Sequence, residues 1–116
     1  MSQDCLVAGE KIHIITRRLF GDDLRRHFLG ECTQVTADYA RVEGYAFVFD
    51  ASRNEYQKRP ERRRRVFSLV GAGLIITVLP TELDLERVRY EMRKGRLVLT
   101  DGGAFELDIN EFGAKH

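Results

Sequence analysis

Apolar and polar residues alternate with a period of two along most of this chain, which is the pattern of β-strands whose two faces meet different surroundings. The clearest run extends from Tyr39 to Phe49. One of its faces carries only small residues and is expected to pack tightly against a neighbouring layer. The other face begins polar and ends aromatic, as in a strand that starts at the surface and enters a core. The small face consists of Ala40, Val42, Gly44, Ala46 and Val48, and the other of Tyr39, Arg41, Glu43, Tyr45, Phe47 and Phe49.

The same period predicts further strands on both sides of this run. Two precede it and five follow it: Lys11 to Phe20, His27 to Thr36, Arg64 to Val70, Gly73 to Leu79, Val88 to Met92, Arg96 to Thr100 and Ala104 to Ile109. The apolar content of residues 64–70 and 73–79 predicts strands that are buried on both faces. The short link Gly71-Ala72-Gly73 predicts that these two strands pair with each other.

Turn residues separate the predicted strands. Asp101-Gly102-Gly103 is the strongest hairpin signal, and Pro80 ends a strand because proline cannot donate to the ladder. Residues 82–87 are predicted to form one helical turn, and Gly30 and Gly44 mark places where a tightly curved sheet bends or bulges. The pattern therefore predicts an all-β, antiparallel fold, a small barrel or a sandwich of about eight strands, with at most one or two short helical turns.

A length of 116 residues predicts a single domain over 1–116, with a ragged N-terminal segment over 1–10 and a tail over 113–116. Two cysteines without a Cys-x-x-Cys motif favour a reduced, cytoplasmic setting. The first residues do not resemble a signal peptide, and the longest apolar run, Leu74 to Leu79, is too short for a membrane helix, so no membrane association is expected. Exposed sheet edges favour self-association, and we expect a homodimer.

Positive charge is concentrated in one segment of an otherwise nearly neutral chain. Residues 53–65 hold seven basic and two acidic side chains, a net charge of +5, while the whole chain carries +1 and the remainder therefore −4. Residues 50–63 are predicted to form a long basic loop, and loops of such length are often functional. The candidate residues for binding an anion or a nucleic acid are Arg53, Tyr56, Lys58, Arg59, Arg62, Arg63, Arg64 and Arg65.

The first functional hypothesis is a non-catalytic binding module that uses this segment to hold an anionic partner, with RNA as a candidate. Guanidinium groups bind phosphate and carboxylate through two parallel hydrogen bonds and stay charged at any working pH. Several together attract a polyanion, and binding to nucleic acid would depend strongly on salt. Tyr56 is a candidate for stacking on a base. No zinc finger, RNP motif or Gly-x-x-Gly clamp accompanies the segment.

Two alternatives remain at this stage. In the first, the arginines pair with an acidic C-terminal stretch, within the chain or across a subunit boundary, in a structural homo-oligomer. Strand alternation would then place Arg62 and Arg64 on one face, and Arg63 and Arg65 on the other. The acidic residues of that stretch are Asp101, Glu106, Asp108 and Glu111.

The second alternative is a small enzyme with a site at His13, His27 or Asp101. No nucleophile–base pair accompanies them, so no catalytic residue is predicted. The spacing of Cys5, His13, His27 and Cys32 does not fit a zinc site, and neither a metal nor a cofactor is predicted.

Overall fold

The structure is a computed structural model of the chain, and it describes residues 6–16, 26–71 and 73–109. These residues form nine β-strands in two antiparallel sheets and contain no helix, which confirms the predicted all-β fold. None of them belongs to a helix long and apolar enough to cross a membrane. The strands are β1 Lys11–Thr16, β2 Arg26–Val35, β3 Tyr39–Asp50, β4 Glu55–Lys58, β5 Arg63–Ser68, β6 Leu74–Leu79, β7 Arg89–Arg93, β8 Arg96–Thr100 and β9 Glu106–Asp108.

The chain divides into two compact units, residues 1–81 and 82–116. The first unit contains the sheet made by β1 to β6, and the second contains the three-stranded sheet β7-β8-β9. A single domain over the whole chain stays a prediction.

The larger sheet has the order β4-β3-β2-β1-β6, and β5 pairs with β3 beside β4. The first half of β3, Tyr39 to Gly44, pairs with β5, and its last residues, Phe47 to Asp50, pair with β4. Because β2 occupies the other edge of β3, β4 and β5 lie end to end along one edge of the sheet. β6 forms the opposite edge, and the described strands leave the barrel open between the two.

The connection from β5 to β6 requires this sheet to curl strongly. Ser68 of β5 lies beside the start of β3. Leu74 of β6 lies beside Thr16; β6 is four strands away from β5, and Leu74 is level with the end of β3 across the sheet. On a flat sheet these two positions would be roughly 35 Å apart. Six Cα–Cα steps span at most about 21 Å. The sheet therefore bends until its two edges approach the same core.

The inner face of the curl holds the core of the first unit. Its strand residues alternate as the sequence predicts, so the small face of β3 is confirmed as a packing face. The buried members are Leu6, Ile12, Ile14, Phe28, Cys32, Ala40, Val42 and Ala46, with Phe67, Leu69, Leu74 and Ile76 packed against them. Gly30 and Gly44 are direct partners across β2 and β3, where the backbones approach too closely for a side chain.

The prediction of a continuous loop over residues 50–63 is wrong. The short strand β4 occupies its middle and forms a hairpin with the end of β3. The turn is closed by Asp50, whose Oδ1 accepts hydrogen bonds from the backbone N–H and the Oγ of Ser52. Asn54 completes it in the left-handed region at φ 54°, which asparagine tolerates well. The irregular remainder is limited to residues 51–54 and 59–62.

The predicted pairing and burial of the next two strands are also wrong. β5 pairs with β3 and β6 with β1, so β5 and β6 do not form a hairpin with each other. Most residues of both strands are exposed or half-buried, because each strand has a described neighbour on one side only. Val, Ile and Phe favour strands in general, so the residue content of these two segments did not show that they are edge strands.

The N-terminal end of the first unit is better ordered than the predicted ragged segment over 1–10 indicates. Residues 1–5 lie outside the described part, but Leu6 is buried and the backbone of Glu10 accepts a hydrogen bond from Cys32 N at 2.8 Å. Gly9 N donates in turn to the carbonyl of Cys32 at 2.7 Å. The second half of the predicted ragged segment therefore extends the pairing of β1 with β2. The predicted tail over 113–116 lies outside the described residues.

In the second unit, the predicted helical turn over 82–87 is a hydrogen-bonded turn. Arg87 N donates to the carbonyl of Asp84 at 2.9 Å, and Glu86 N donates to Asp84 Oδ1 at 3.0 Å. The β7–β8 hairpin turns at Lys94 and Gly95, both at positive φ. Thr100 is fully buried at the end of β8, where its hydroxyl holds the turn that leads to β9.

Candidate anion-binding site

The edge formed by residues 55–68, which we call the basic edge, comprises β4, the link 59–62 and β5. Two backbone hydrogen bonds show which residues of this edge bond to β3. Arg59 N donates to the carbonyl of Ala46, and Leu69 N donates to that of Asp38. Bonded positions alternate in an antiparallel ladder, so the odd-numbered residues of β4 and β5 bond to β3. The backbone groups of Arg64, Val66 and Ser68 therefore point away from the sheet.

Strand alternation divides the arginines of the basic edge between the two faces of the sheet, as predicted. Arg63 and Arg65 lie opposite Gly44 and Val42, on the inner face. The guanidinium of Arg65 lies 5.7 Å from the ring centre of Phe28, at the rim of the core. Arg64 is on the outer face, where it lies opposite Glu43.

Arg62 extends over the outer face and is already engaged. Its Nε lies 3.4 Å from Glu43 Oε2, and its Nη1 donates to the hydroxyl of Tyr45 at 3.4 Å. The hydrogen bond to Tyr45 and the charge of Glu43 raise the pKa of Arg62 above its ordinary value. This guanidinium therefore anchors the link 59–62 to β3.

Two further basic residues have loose acidic neighbours. Arg63 Nη2 lies 3.9 Å from Glu61 Oε1, and Arg53 Nε lies 4.0 Å from Asp50 Oδ2. Arg53, Arg63 and Glu61 are at least half exposed, and ion pairs of exposed side chains contribute little and exchange easily. Both arginines remain accessible to a competing anion.

Four arginines on or beside the basic edge have no carboxylate within ion-pair distance in the described part of the chain: Arg41, Arg59, Arg64 and Arg65. All four are exposed. Arg41 was not among the predicted site residues. It lies on β3 opposite Val66, on the same face as Arg64, and only the pairing of β3 with β5 brings it there. Four guanidinium groups without a described carboxylate partner thus lie on the basic edge or beside it on β3.

Tyr56 and Lys58 are structural members of the basic edge. The Tyr56 ring stacks on His27 at 4.6 Å between centroids and meets Phe49 edge-on at 5.2 Å. The Lys58 ammonium lies 4.5 Å from the ring centre of Tyr45. One face of Tyr56 is thus occupied by His27, and the predicted stacking on a base cannot use that face. The sequence pattern did not show that Tyr45 and His27 contact the basic segment, although alternation assigned Tyr45 to the correct face of its strand.

Two of the residues considered for an enzyme, His13 and His27, lie side by side in the first unit. His13 and His27 are buried neighbours on the outer face, with ring centres 5.5 Å apart. Burial, and then the charge of His27, lowers the pKa of His13 to about 3. Cys32 lies on the inner face, and burial, Glu10 and Glu31 raise the pKa of its thiol. Cys5 lies outside the described residues.

Asp101 belongs to the second unit, where its Oδ1 accepts a hydrogen bond from Gly103 N in a turn. Within the described ranges, no three His, Cys, Asp or Glu side chains are grouped to hold a metal ion.

Two acidic residues of the C-terminal stretch, Glu106 and Asp108, have basic partners within the second unit. Arg93 Nη1 binds Glu106 at 2.5 Å, and Arg96 Nη1 binds Asp108 at 2.7 Å. These four side chains, with Lys94 and Val98, line an open groove of about 560 Å³. Glu111 lies outside the described part of the chain.

Comparisons with protein-family models, with curated proteins and with solved structures found no match to this chain. We therefore infer the function from the geometry of the basic edge and from its unpaired charge.

Proposed function

We propose that this protein is a non-catalytic binding module that holds an anionic chain along its basic edge, with RNA as the candidate ligand. The observation that carries the proposal is the set of four exposed guanidinium groups, Arg41, Arg59, Arg64 and Arg65, without carboxylate partners in the described structure. Arginine in this state offers two parallel hydrogen bonds to a phosphate at no cost of breaking an ion pair.

The placement of the arginines favours contacts to the phosphate backbone. Arg64 is on the outer face and Arg65 on the inner face, so an extended polyanion that follows β5 meets cations on both sides of the strand. Few aromatic faces are open there, because Tyr56 stacks on His27 and Tyr45 is covered by Lys58. We therefore expect weak sequence preference and strong salt dependence.

Fluorescence anisotropy with a labelled single-stranded RNA, measured between 50 and 200 mM salt, tests the proposal. If four phosphates are neutralised, the affinity should fall about 50-fold over this range, since each contact contributes a slope of about 0.7. The double variant Arg64→Ser/Arg65→Ser should reduce the slope by about 1.4. The matched control, Arg87→Ser/Lys94→Asn, removes two exposed cations from the second unit and should leave both affinity and slope unchanged.

Three outcomes would overturn the proposal. The first is the absence of RNA binding at 50 mM salt, and the second is an affinity that is indifferent to salt. The third is binding of poly-glutamate but not of RNA, which would show that the anionic partner is an acidic protein surface.

The pairing of Glu106 with Arg93 and of Asp108 with Arg96 weighs against the assembly alternative, because it leaves these two acids with neighbours of their own. We therefore do not propose that the basic edge binds the acidic C-terminal stretch of a second copy.

A further inference from the structure

The edge strand β6 differs in chemistry from the basic edge on the other side of the sheet. Leu74–Leu79 contains five aliphatic residues and Thr77, with neither charge nor proline. Edge strands of natural proteins are usually protected from pairing with another strand by charged residues, by proline or by a bulge. Ile75 and Val78 are each 47% exposed, and they lie on opposite faces of the strand. β6 therefore lacks the protection that arginine gives to β5.

The ladder of the sheet determines which backbone groups of β6 face outward. Cys32 N donates to the carbonyl of Glu10, so even-numbered residues of β1 bond to β2 and odd-numbered ones bond to β6. The register of β1 with β6 pairs Lys11 with Leu79 and His13 with Thr77. The odd-numbered residues of β6 thus bond to β1. The N–H and C=O groups of its even-numbered residues point to the other side of β6, where no described strand pairs with it: Leu74, Ile76 and Val78.

We propose that β6 pairs with β6 of a second copy of this chain, antiparallel, around a two-fold axis at Ile76. In this register Ile76 faces Ile76 and Leu74 faces Val78, so every outward backbone group of one copy meets its counterpart in the other. The three pairs form two hydrogen bonds each. A register centred on Thr77 would form only two such pairs. The edge is therefore self-complementary in hydrogen bonding, and no charged side chain opposes the contact.

The basic edge is a poorer surface for self-pairing. Two copies joined through β5 would bring Arg64 and Arg65 of one chain close to those of the other, and like charges across a strand pair are destabilising. The uncharged edge has no such penalty. Pairing of two six-residue strands buries less than a standard interface, so we expect a reversible dimer that forms at tens to hundreds of micromolar, on the order expected for small contacts.

Sedimentation velocity between about 10 and 300 µM tests this inference, a range chosen for weak association. The mass of the unaltered chain should rise from 13.4 kDa towards twice that value. Val78→Pro removes an outward N–H without removing a bond to β1, and proline is tolerated at such edge positions. This variant should dimerise at least about tenfold more weakly.

The matched control is Val66→Pro, which also removes an outward N–H from an exposed valine, but on β5. It should dimerise like the unaltered chain. A monomer at every concentration would overturn the inference, and so would unchanged association of Val78→Pro. Loss of association in both variants would show that β5 of one copy meets β6 of the next. If circular dichroism shows that Val78→Pro is unfolded, Val78→Lys replaces it, with the same expected loss and the same refuting result.

Discussion

The substitution Gly44→Ala tests the curled sheet directly. Gly44 lies in the middle of β3, buried and directly opposite Gly30 of β2. A Cβ atom at this position would overlap the carbonyl oxygen of Leu29 and lie 2.5 Å from the Cα of Gly30. Both are backbone atoms of a central strand, so no side-chain rotation relieves the contact. The strands β2 and β3 must therefore separate at this position.

The expected cost follows from the size of that displacement. Carbon atoms pack best about 3.5–4.0 Å apart, so the backbones must move by roughly 1 Å. Overpacking by one methyl group costs about 1–3 kcal/mol, and the upper end applies because two central strands are displaced. With an unfolding entropy near 2.1 cal/mol/K per residue, about 3 kcal/mol lowers the Tm of a 116-residue chain by roughly 12 °C.

Thermal unfolding followed by circular dichroism measures this effect, with urea unfolding as a second readout. The matched control is Gly71→Ala, because Gly71 is exposed and a Cβ there has no atom within 4 Å. Its Tm should stay unchanged or rise slightly, since alanine restricts the unfolded chain more than glycine does. If the Tm of Gly44→Ala fell within about 2 °C of that of Gly71→Ala, the close approach of β2 and β3 would be refuted.

Two further changes address buried polar groups. The pKa of His13 is lowered to about 3 in the fold, so the unfolded chain takes up the proton first as the pH falls below 6.5. Stability present above pH 6.5 is then lost towards pH 3, about 2 kcal/mol of it by pH 5. Urea unfolding should show a smaller loss in His13→Gln; an equal loss would contradict this. Thr100→Val removes two hydrogen bonds, to the carbonyl of Phe105 and from Gly102 N, and should cost about 1–3 kcal/mol, unlike the exposed control Thr33→Val. Equal unfolding free energies for these two variants would argue against a role for the buried hydroxyl.

Alternation predicted the strands well where the two faces of a strand meet different surroundings. The run Tyr39 to Phe49 shows this best, because its small face lies in the core, whereas its other face is exposed at Tyr39 and buried at Tyr45 and Phe47. β4 was missed because only Tyr56 among its four residues is apolar, which leaves no period to detect. The partner strands of β5 and β6 were mispredicted because a short glycine link usually closes a hairpin, whereas this one crosses between the two edges of a curled sheet.

The candidate site was predicted in its charge but not in its geometry. The arginine run is visible in the sequence, and alternation correctly divided Arg62 and Arg64 from Arg63 and Arg65. Arg41 was missed because it lies more than twenty positions away in sequence and only the pairing of β3 with β5 places it beside Arg64. Such neighbours depend on strand order, which local patterns do not specify.

The pairing of β1 with β6 has a consequence for synthesis on the ribosome. Ile12 lies opposite Val78, 66 positions later in the chain (78 minus 12). At roughly 5–20 residues per second, translation needs about 3–13 s to supply that partner. During this interval the first strand of the nascent polypeptide has an unprotected backbone edge beside aliphatic side chains, a surface that chaperones recognise. Truncated translation products that end before Leu79 would retain this surface permanently and should be prone to aggregation and degradation.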